Sequence, residues 1–263
     1  MIVTARDGRF VLTANDEHAR MAGQLAGMLS EAALPEKERR EEFVYAVAEH
    51  DRAWIGLDEA PIWNDTGDRP FSVADYPMTI RLPHYLKGLE EVGKMSEYAG
   101  LLCSMHYTSL PPDALKGAAG GMGPQVFAVV AAVKERERQT MSRLNLLSEA
   151  NARLLEKHLR LLQMLDRISL WLCMHSFGET LSASNDSYRL MFGGVEDGFN
   201  IRWSSQQTAR IDPYPWSAPV TLTWKRKELS ERRAKEIGLL RAWQESPCLE
   251  TNIHVLPEGG EPA

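Results

Sequence analysis

The sequence predicts a mainly α-helical domain with a β-hairpin at its N-terminus and a small β subdomain at its C-terminus. In residues 1–13, apolar and polar side chains alternate around Asp7-Gly8, which is typical of two strands joined by a tight turn. From about residue 13 to residue 175, apolar residues recur at helical spacing. Near Gly178 this spacing gives way to alternation, which indicates strands.

The helical part is predicted to contain several helices and one long loop. Thr13, Asn15 and Asp16 are capping residues that predict the start of the first helix, which runs to about Ala32. The loop at residues 56–79 is rich in proline and aromatic residues, and loops of this length in compact domains are usually functional. The other helices are predicted from Pro35 to His50-Asp51 and at about 81–91, 96–109, 125–142 and 146–175.

The C-terminal part has the pattern of a small sheet with one helix. Strands are predicted at Phe199–Trp203, Ala209–Ile211, Val220–Trp224 and about 250–256, with a helix at about 230–245. We therefore divide the chain into a helical domain at residues 1–177, which includes the hairpin, and an α+β subdomain at residues 178–263 that packs on it.

Composition narrows the functional class. The 263 residues are 44% hydrophobic, which is enough for a sizeable core, and the formal net charge of -6 argues against a broad nucleic-acid-binding surface. No apolar stretch is long enough to span a membrane, and the N-terminus lacks the apolar segment of a signal peptide. The three cysteines are scattered and form no disulfide framework, so we expect a cytoplasmic protein.

Several ionisable residues occupy helical faces that are otherwise apolar. Asp166 lies four residues from both Leu162 and Leu170, and His106 and the pair His50-Asp51 are in similar surroundings. A carboxylate buried among such side chains needs a cation or hydrogen-bond donors. Carboxylates and imidazoles that converge from different helices would satisfy one another around a metal ion.

Each of these residues also has a plainer interpretation. A lone buried histidine is usually a hydrogen-bonded core residue, and Asp166 followed by Arg167 is often a structural ion pair. Adjacent residues such as His50 and Asp51 point about 100° apart on a helix, so both reach one ion only if the helix ends there. The order along the chain, in which His18 precedes the pair and Asp166 follows far downstream, favours the metal site.

This order resembles the HD-domain superfamily, whose pattern is a histidine, an adjacent His-Asp pair and a distant aspartate on different helices. The residues that match this pattern are His18, His50, Asp51 and Asp166. The resemblance covers about residues 13–175 and implies an HD-type helical bundle that holds a divalent metal ion. Many members hydrolyse phosphate esters. His106 lies where members with two metal ions place an extra histidine. Since there is one such residue in this sequence, whether a second ion binds is left open.

A second resemblance spans nearly the whole chain. The segments EHARMAGQLA, VAEHDRAW, YAGLLCSMHYTSL, LRLLQMLDRISLWLC and DPYPW are similar to the bacterial family of unknown function numbered 3891. This resemblance implies no activity.

The sequence also suggests roles for residues around the metal site. Imidazole and carboxylate ligands suit Mn, Fe, Ni, Zn and Co about equally, and Mg stays open as well. His106 or Glu49 would handle a proton, and His106 is favoured because its ordinary pKa is near neutral. Substrate-binding candidates are Arg81, His84 and Lys87 for a phosphate group and Trp54 and Trp63 for the pocket wall. The alternative for the three polar residues is a solvated helix face, and the alternative for the two tryptophans is a plain core position.

Two functions follow from these observations. The first is an HD-like metal-dependent hydrolase of a phosphate ester, with a phosphorylated small molecule or nucleotide as substrate. The alternative is a catalytically silent HD-like scaffold with a binding or sensory role. In either case we expect the loop at residues 56–79 and Arg81 to border the metal pocket. The oligomeric state is left open.

Overall fold

The computed structural model describes residues 1–34, 37–109, 124–175, 188–190 and 199–260. The α-helices are α1 (Asn15–Gly27), α2 (Arg40–Glu49), α3 (Ile55–Asp58), α4 (Met78–Met95), α5 (Glu97–Ser109), α6 (Pro124–Arg143), α7 (Glu149–Met174), α8 (Glu231–Ile237) and α9 (Leu239–Glu245). The strands are β1 (Ile2–Arg6), β2 (Arg9–Thr13), β3 (Trp63–Asn64), β4 (Arg69–Pro70), β5 (Tyr188–Leu190), β6 (Phe199–Ser205), β7 (Thr208–Asp212), β8 (Val220–Ser230) and β9 (Cys248–Pro257).

Helices α1, α2, α5 and α7 pack against one another and enclose the main core. Their inward faces follow the helical spacing of the sequence: Met21 and Leu25 on α1, and Leu162 and Leu165 on α7, are fully buried. Helix α4 packs on α5 and on a 3-10 turn at Arg52–Trp54, and α6 packs on α5. Across the described ranges, no helix is both long enough and apolar enough to cross a lipid bilayer.

One sheet joins the two ends of the chain. Its strand order is β1-β2-β8-β9-β7-β6-β5, and all neighbours are antiparallel except β7 and β9. The N-terminal hairpin belongs to this sheet because β2 pairs with the end of β8, where Phe10 lies opposite Leu229. Helix α1 lies against β8: Gln24 binds both the backbone N–H and the carbonyl of Thr223, and the Trp216 indole donates to the Leu25 carbonyl.

The predicted fold class is borne out in part. The chain is rich in helix, but the β portion is a seven-stranded sheet in the described residues, larger than the small C-terminal subdomain that was predicted, and the N-terminal hairpin is part of it. The physical reason is that β8 extends to Ser230 through Lys225–Lys227, a charged run that hides a strand in the sequence, and this extension accepts the hairpin. The proposed boundary between residues 177 and 178 lies outside the described residues and stays a prediction, as does the change of pattern at Gly178.

The predicted C-terminal helix at 230–245 is two helices. Gly238 separates α8 from α9 with a φ of 87°, a left-handed backbone conformation that favours glycine. The sequence indicated the helical stretch, but a single glycine does not show whether it continues or breaks a helix.

A glycine sets the distance between α1 and α2. A Cβ atom added at Gly23 would lie 2.6 Å from the Cβ of Ala48 and 2.9 Å from its Cα, so the two helices touch at their backbones. This contact holds α1, which carries His18, against the end of α2, which carries His50. Gly23 is therefore part of the framework that brings these histidines together.

We expect Gly23→Ala to destabilise the protein by about 1–3 kcal/mol, the usual cost of overpacking a tight core. Gly27→Ala in the same helix is the matched control, because a Cβ there meets nothing within 4 Å. The control should gain up to about 1 kcal/mol from helix propensity. Urea unfolding followed by circular dichroism measures both effects. A Gly23→Ala variant as stable as the wild type would contradict the close packing.

Candidate metal centre

Three histidines and two aspartates converge between the helices of the main core, and we name this group the His–Asp cluster. Its members come from α1, the end of α2, α5 and α7 and are His18, His50, Asp51, His106 and Asp166. The three histidines are at most 4% exposed and Asp51 is 7% exposed. Burial at this level requires that each charge or ring nitrogen has a partner.

The end of α2 explains how His50 and its neighbour Asp51 both face inward. Helix α2 ends at Glu49 with His50 as its capping residue, and Asp51 begins the 3-10 turn with a φ of -105°. The chain leaves the α-helical path between these two residues, so the angle of about 100° between successive helical side chains does not apply.

The spacing of nitrogen and oxygen atoms in the cluster fits a coordination shell. The Nε2 atom of His18 is 2.8 Å from Asp51 Oδ2. Asp166 Oδ1 lies 3.3 Å from His50 Nε2, and Asp166 Oδ2 lies 3.6 Å from His106 Nε2. Metal–ligand bonds of about 2.0–2.2 Å place adjacent ligands about 3.0–3.4 Å apart in octahedral or tetrahedral geometry. The cluster could therefore hold a metal ion without a large rearrangement.

His50 is oriented for metal binding. Its Nδ1–H donates to the Val47 carbonyl at 2.7 Å, which leaves the lone pair on Nε2 facing the cluster. This Nε2 atom is buried and has no hydrogen-bond partner among the described residues, although Asp166 is nearby. This nitrogen lies 3.3 Å from Asp166 Oδ1, so either a proton on Nε2 or a metal ion can stand against that carboxylate.

Ser169 connects His18 to α7. Its hydroxyl donates to the Asp166 carbonyl at 2.9 Å, and its oxygen lies 3.0 Å from His18 Nδ1. Since a hydroxyl has a single proton, this arrangement makes Nδ1–H of His18 the donor to Ser169. The Nε2 atom of His18 lies 2.8 Å from Asp51 Oδ2, a contact that needs either a proton on Nε2 or a cation held by both atoms.

Tyr107 holds the other oxygen of Asp51. Its hydroxyl donates to Asp51 Oδ1 at 3.1 Å, and its ring stacks on that of Tyr85 with centroids 4.4 Å apart. Burial raises the pKa of Tyr107 well above its ordinary value, and Asp51 adds to this effect, so the phenol stays a donor. Asp51 is thereby fixed with Oδ2 toward His18.

The pKa values of the cluster residues show how their charges are balanced when no metal ion is bound. Burial alone would lower the pKa of His50, but the carboxylates of Asp166 and Asp51 outweigh it and raise that pKa to about 9. Burial likewise raises the pKa of Asp166, yet the neighbouring histidines outweigh it and lower that pKa below its ordinary value. His106 differs, because burial lowers its pKa to about 4. Without a metal ion, a protonated His50 supplies positive charge to the carboxylates.

Comparison with known proteins assigns a family. A family model described as a protein of unknown function matches residues 1–231, most of the chain. The chain belongs to the DUF3891 family. No curated protein and no solved structure matches it significantly. The family match agrees with the second resemblance found in the sequence and covers all members of the His–Asp cluster.

The structure places the other candidate residues of this DUF3891 chain outside the cluster. Glu49 forms an ion pair with Arg52 at 2.8 Å, and Arg52 also binds Glu91, so the role of Glu49 as a base stays a prediction. His84 and Lys87 line a depression between α4 and the 3-10 turn, together with Arg52. That these two residues bind phosphate also stays a prediction.

The aromatic candidates have different surroundings. Trp54 is 1% exposed and packs edge-on against Tyr76 and Tyr85, as a core residue does. Arg81 is buried beside it, with its guanidinium carbon 5.9 Å from the Trp54 ring centre. Trp63 instead packs against Phe10 of the hairpin, so the loop at 56–79 turns this side chain toward the sheet.

Sequence analysis of this DUF3891 chain missed Tyr107 and Ser169 as functional candidates. Tyr107 directly follows His106, and Ser169 is a small polar residue in the apolar stretch of α7. These two positions are what the sequence shows of them. Neither position tells which residue the side chain contacts, because Asp51 and His18 are distant in sequence.

The first prediction for the site concerns Asp166. Asp166→Ala should lower the metal content of the purified protein more than about 10-fold, because the site loses a ligand and a negative charge. Glu156→Ala is the control, since it removes an exposed carboxylate from the same helix. Elemental analysis measures bound metal, and circular dichroism verifies folding. Equal metal content in the two variants would mean that Asp166 is not a ligand.

The second prediction concerns Tyr107. Tyr107→Phe should weaken metal affinity by about 10-fold, the lower end for losing a group that orients a ligand. Tyr45→Phe on α2 is the control, because that half-buried ring has no contact with Asp51. Competition with a chelator measures the affinities. Identical affinities for both variants would remove Tyr107 from the support of the site.

Proposed function

We propose that this DUF3891 protein is an HD-like metal-dependent hydrolase of a phosphate ester carried by a small molecule or nucleotide. The observation that carries the proposal is the buried Nε2 of His50, which has no hydrogen-bond partner among the described residues and faces Asp166. His18 and Asp51 form with His50 a group whose ligand atoms lie within 4.8 Å of one another, and His50 also belongs to a second such group with His106 and Asp166. The order of these residues along the chain is that of the HD superfamily.

The proposed chemistry divides between the ion and the protein. His18, His50, Asp51 and Asp166 would hold a divalent cation, which supplies a bound water of lowered pKa and polarises a phosphoryl oxygen. The chain itself fixes the ligands through Val47, Ser169 and Tyr107. Burial of the cluster excludes bulk water, which strengthens each electrostatic contact.

His106 contributes a neutral imidazole to the proposed site. With a pKa of about 4, the ring is neutral near pH 7 and is a weak base. Its Nδ1 atom is buried without a hydrogen-bond partner among the described residues, while Nε2 faces Asp166. We therefore assign His106 to binding the ion or accepting a hydrogen bond from the attacking water, rather than to storing a proton.

A specific observation favours the alternative, a catalytically silent scaffold. His18 and Asp51 already form a hydrogen bond of 2.8 Å, and a protonated His50 balances Asp166. Protons alone can thus balance part of the negative charge in the cluster. A scaffold of this kind would retain no stoichiometric metal after purification, whereas the hydrolase would.

The experiment that tests the hydrolase is a metal analysis followed by a substrate panel. We expect about one divalent ion for each chain, and hydrolysis of phosphomonoesters, phosphodiesters or nucleotides that depends on added Mn or Mg. Asp166→Ala should abolish this activity. A protein free of metal and inactive on every substrate with each ion would support the scaffold and reject the hydrolase.

Once a substrate is found, His106→Ala should lower turnover by about 10- to 100-fold or more, as expected for losing a ligand or a group that positions the water. Metal content separates the two roles: it falls in this variant if His106 is a ligand and is retained if His106 binds the water. His254→Ala, which changes an exposed histidine on β9, is the control. Unchanged turnover with unchanged metal content would exclude His106 from the site.

A further inference from the structure

Arg81 is a buried cation that forms no ion pair with any residue that the structure describes. It is 3% exposed and lies in the first turn of α4. One end of its guanidinium is anchored: Nη1 donates to the Val73 carbonyl at 3.2 Å and lies 3.5 Å from the Tyr85 hydroxyl. Both of these partners are uncharged. Burying a cation without a counter-ion is costly, so this position calls for an anion.

The other edge of the same guanidinium is free. Both Nε and Nη2 are buried and have no hydrogen-bond partner among the described residues. These two groups form the planar fork that binds two oxygens of one carboxylate or phosphate. The contacts of Nη1 fix the plane of the group, and the Trp54 ring lies beside it at 5.9 Å. The free fork is thus held in one orientation.

Aromatic residues connect this fork to the cluster. Arg81 contacts Tyr85, whose ring stacks on Tyr107, and Tyr107 donates to Asp51. The anchored end of the guanidinium is thus linked to Asp51 through two stacked tyrosine rings.

We propose that the Nε and Nη2 edge of Arg81 is an oxyanion-binding site for the phosphate or carboxylate group of a small molecule. The binding site itself stands on the free fork of a buried cation. Its role as the anchor of a substrate rests on the proposed hydrolase function. In that role Arg81 holds an anionic group of the substrate, while the His–Asp cluster acts on the ester bond.

The test measures anion binding to metal-free protein, so that it does not depend on the hydrolase. Protein treated with a chelator is titrated in a calorimeter with inorganic phosphate and, separately, with acetate. Arg81→Met should weaken binding of the preferred anion by about 10- to 100-fold, as expected for losing a charge-assisted hydrogen bond. Arg81→Lys keeps the charge but not the fork, and should weaken it by about 10-fold or more.

Lys94→Met is the control, since it removes a largely exposed cation from the same helix. It should bind the anion as the wild type does. The stronger of the phosphate and acetate signals identifies the anion class. Binding of neither anion by the wild type, or equal binding by wild type and Arg81→Lys, overturns the proposal. Should Arg81→Met fail to fold, Arg81→Lys alone decides, because it retains the buried charge.

Discussion

Two carboxylates held within a helical core are the constraint on which the rest of this structure depends. Asp51 is buried and the side chain of Asp166 is 13% exposed, and both lie among apolar helices, where an unpaired charge costs several kcal/mol. Three imidazoles surround them, and one of these, His50, has its pKa raised by the carboxylates. Either a metal ion or a protonated histidine can balance these charges, and which of the two does so distinguishes the proposed hydrolase from a scaffold.

The fold meets this constraint with rigid elements rather than loops. Contact at Gly23 brings α1 close to α2, and the end of α2 at Glu49 turns two successive residues inward. Helix α7 contributes Asp166 and also supports His18 through Ser169. The sheet packs behind α1, where Gln24 and Trp216 fix the helix against β8 and its neighbours. Each ligand is thus held by backbone that is itself packed.

Much of the helical part could be predicted from the sequence because its signals are local. Apolar spacing located the helices to within a few residues, and the polar residues on apolar faces indicated which side chains converge. The sheet was underestimated because the pairing of β2 with β8 joins residues near opposite ends of the chain. No local pattern specifies that pairing, and charged residues in β8 obscure its length.

The surroundings of the site were harder to predict for the same reason. Tyr107 and Ser169 act on residues that are distant in sequence, so their roles depend on the tertiary structure. Trp63 belongs to an aromatic-rich loop, yet its ring packs edge-on against Phe10 of the hairpin, a residue far from it in sequence. The unpaired edge of Arg81 likewise depends on tertiary contacts that the sequence does not show.

The most direct test of the central claim is anomalous diffraction from crystals of the protein loaded with Mn²⁺ or Zn²⁺. We expect a single strong anomalous peak bounded by His50 Nε2, an oxygen of Asp166 and the pair His18 and Asp51. A fully loaded crystal without a peak among these atoms, or with its peak elsewhere, would contradict it.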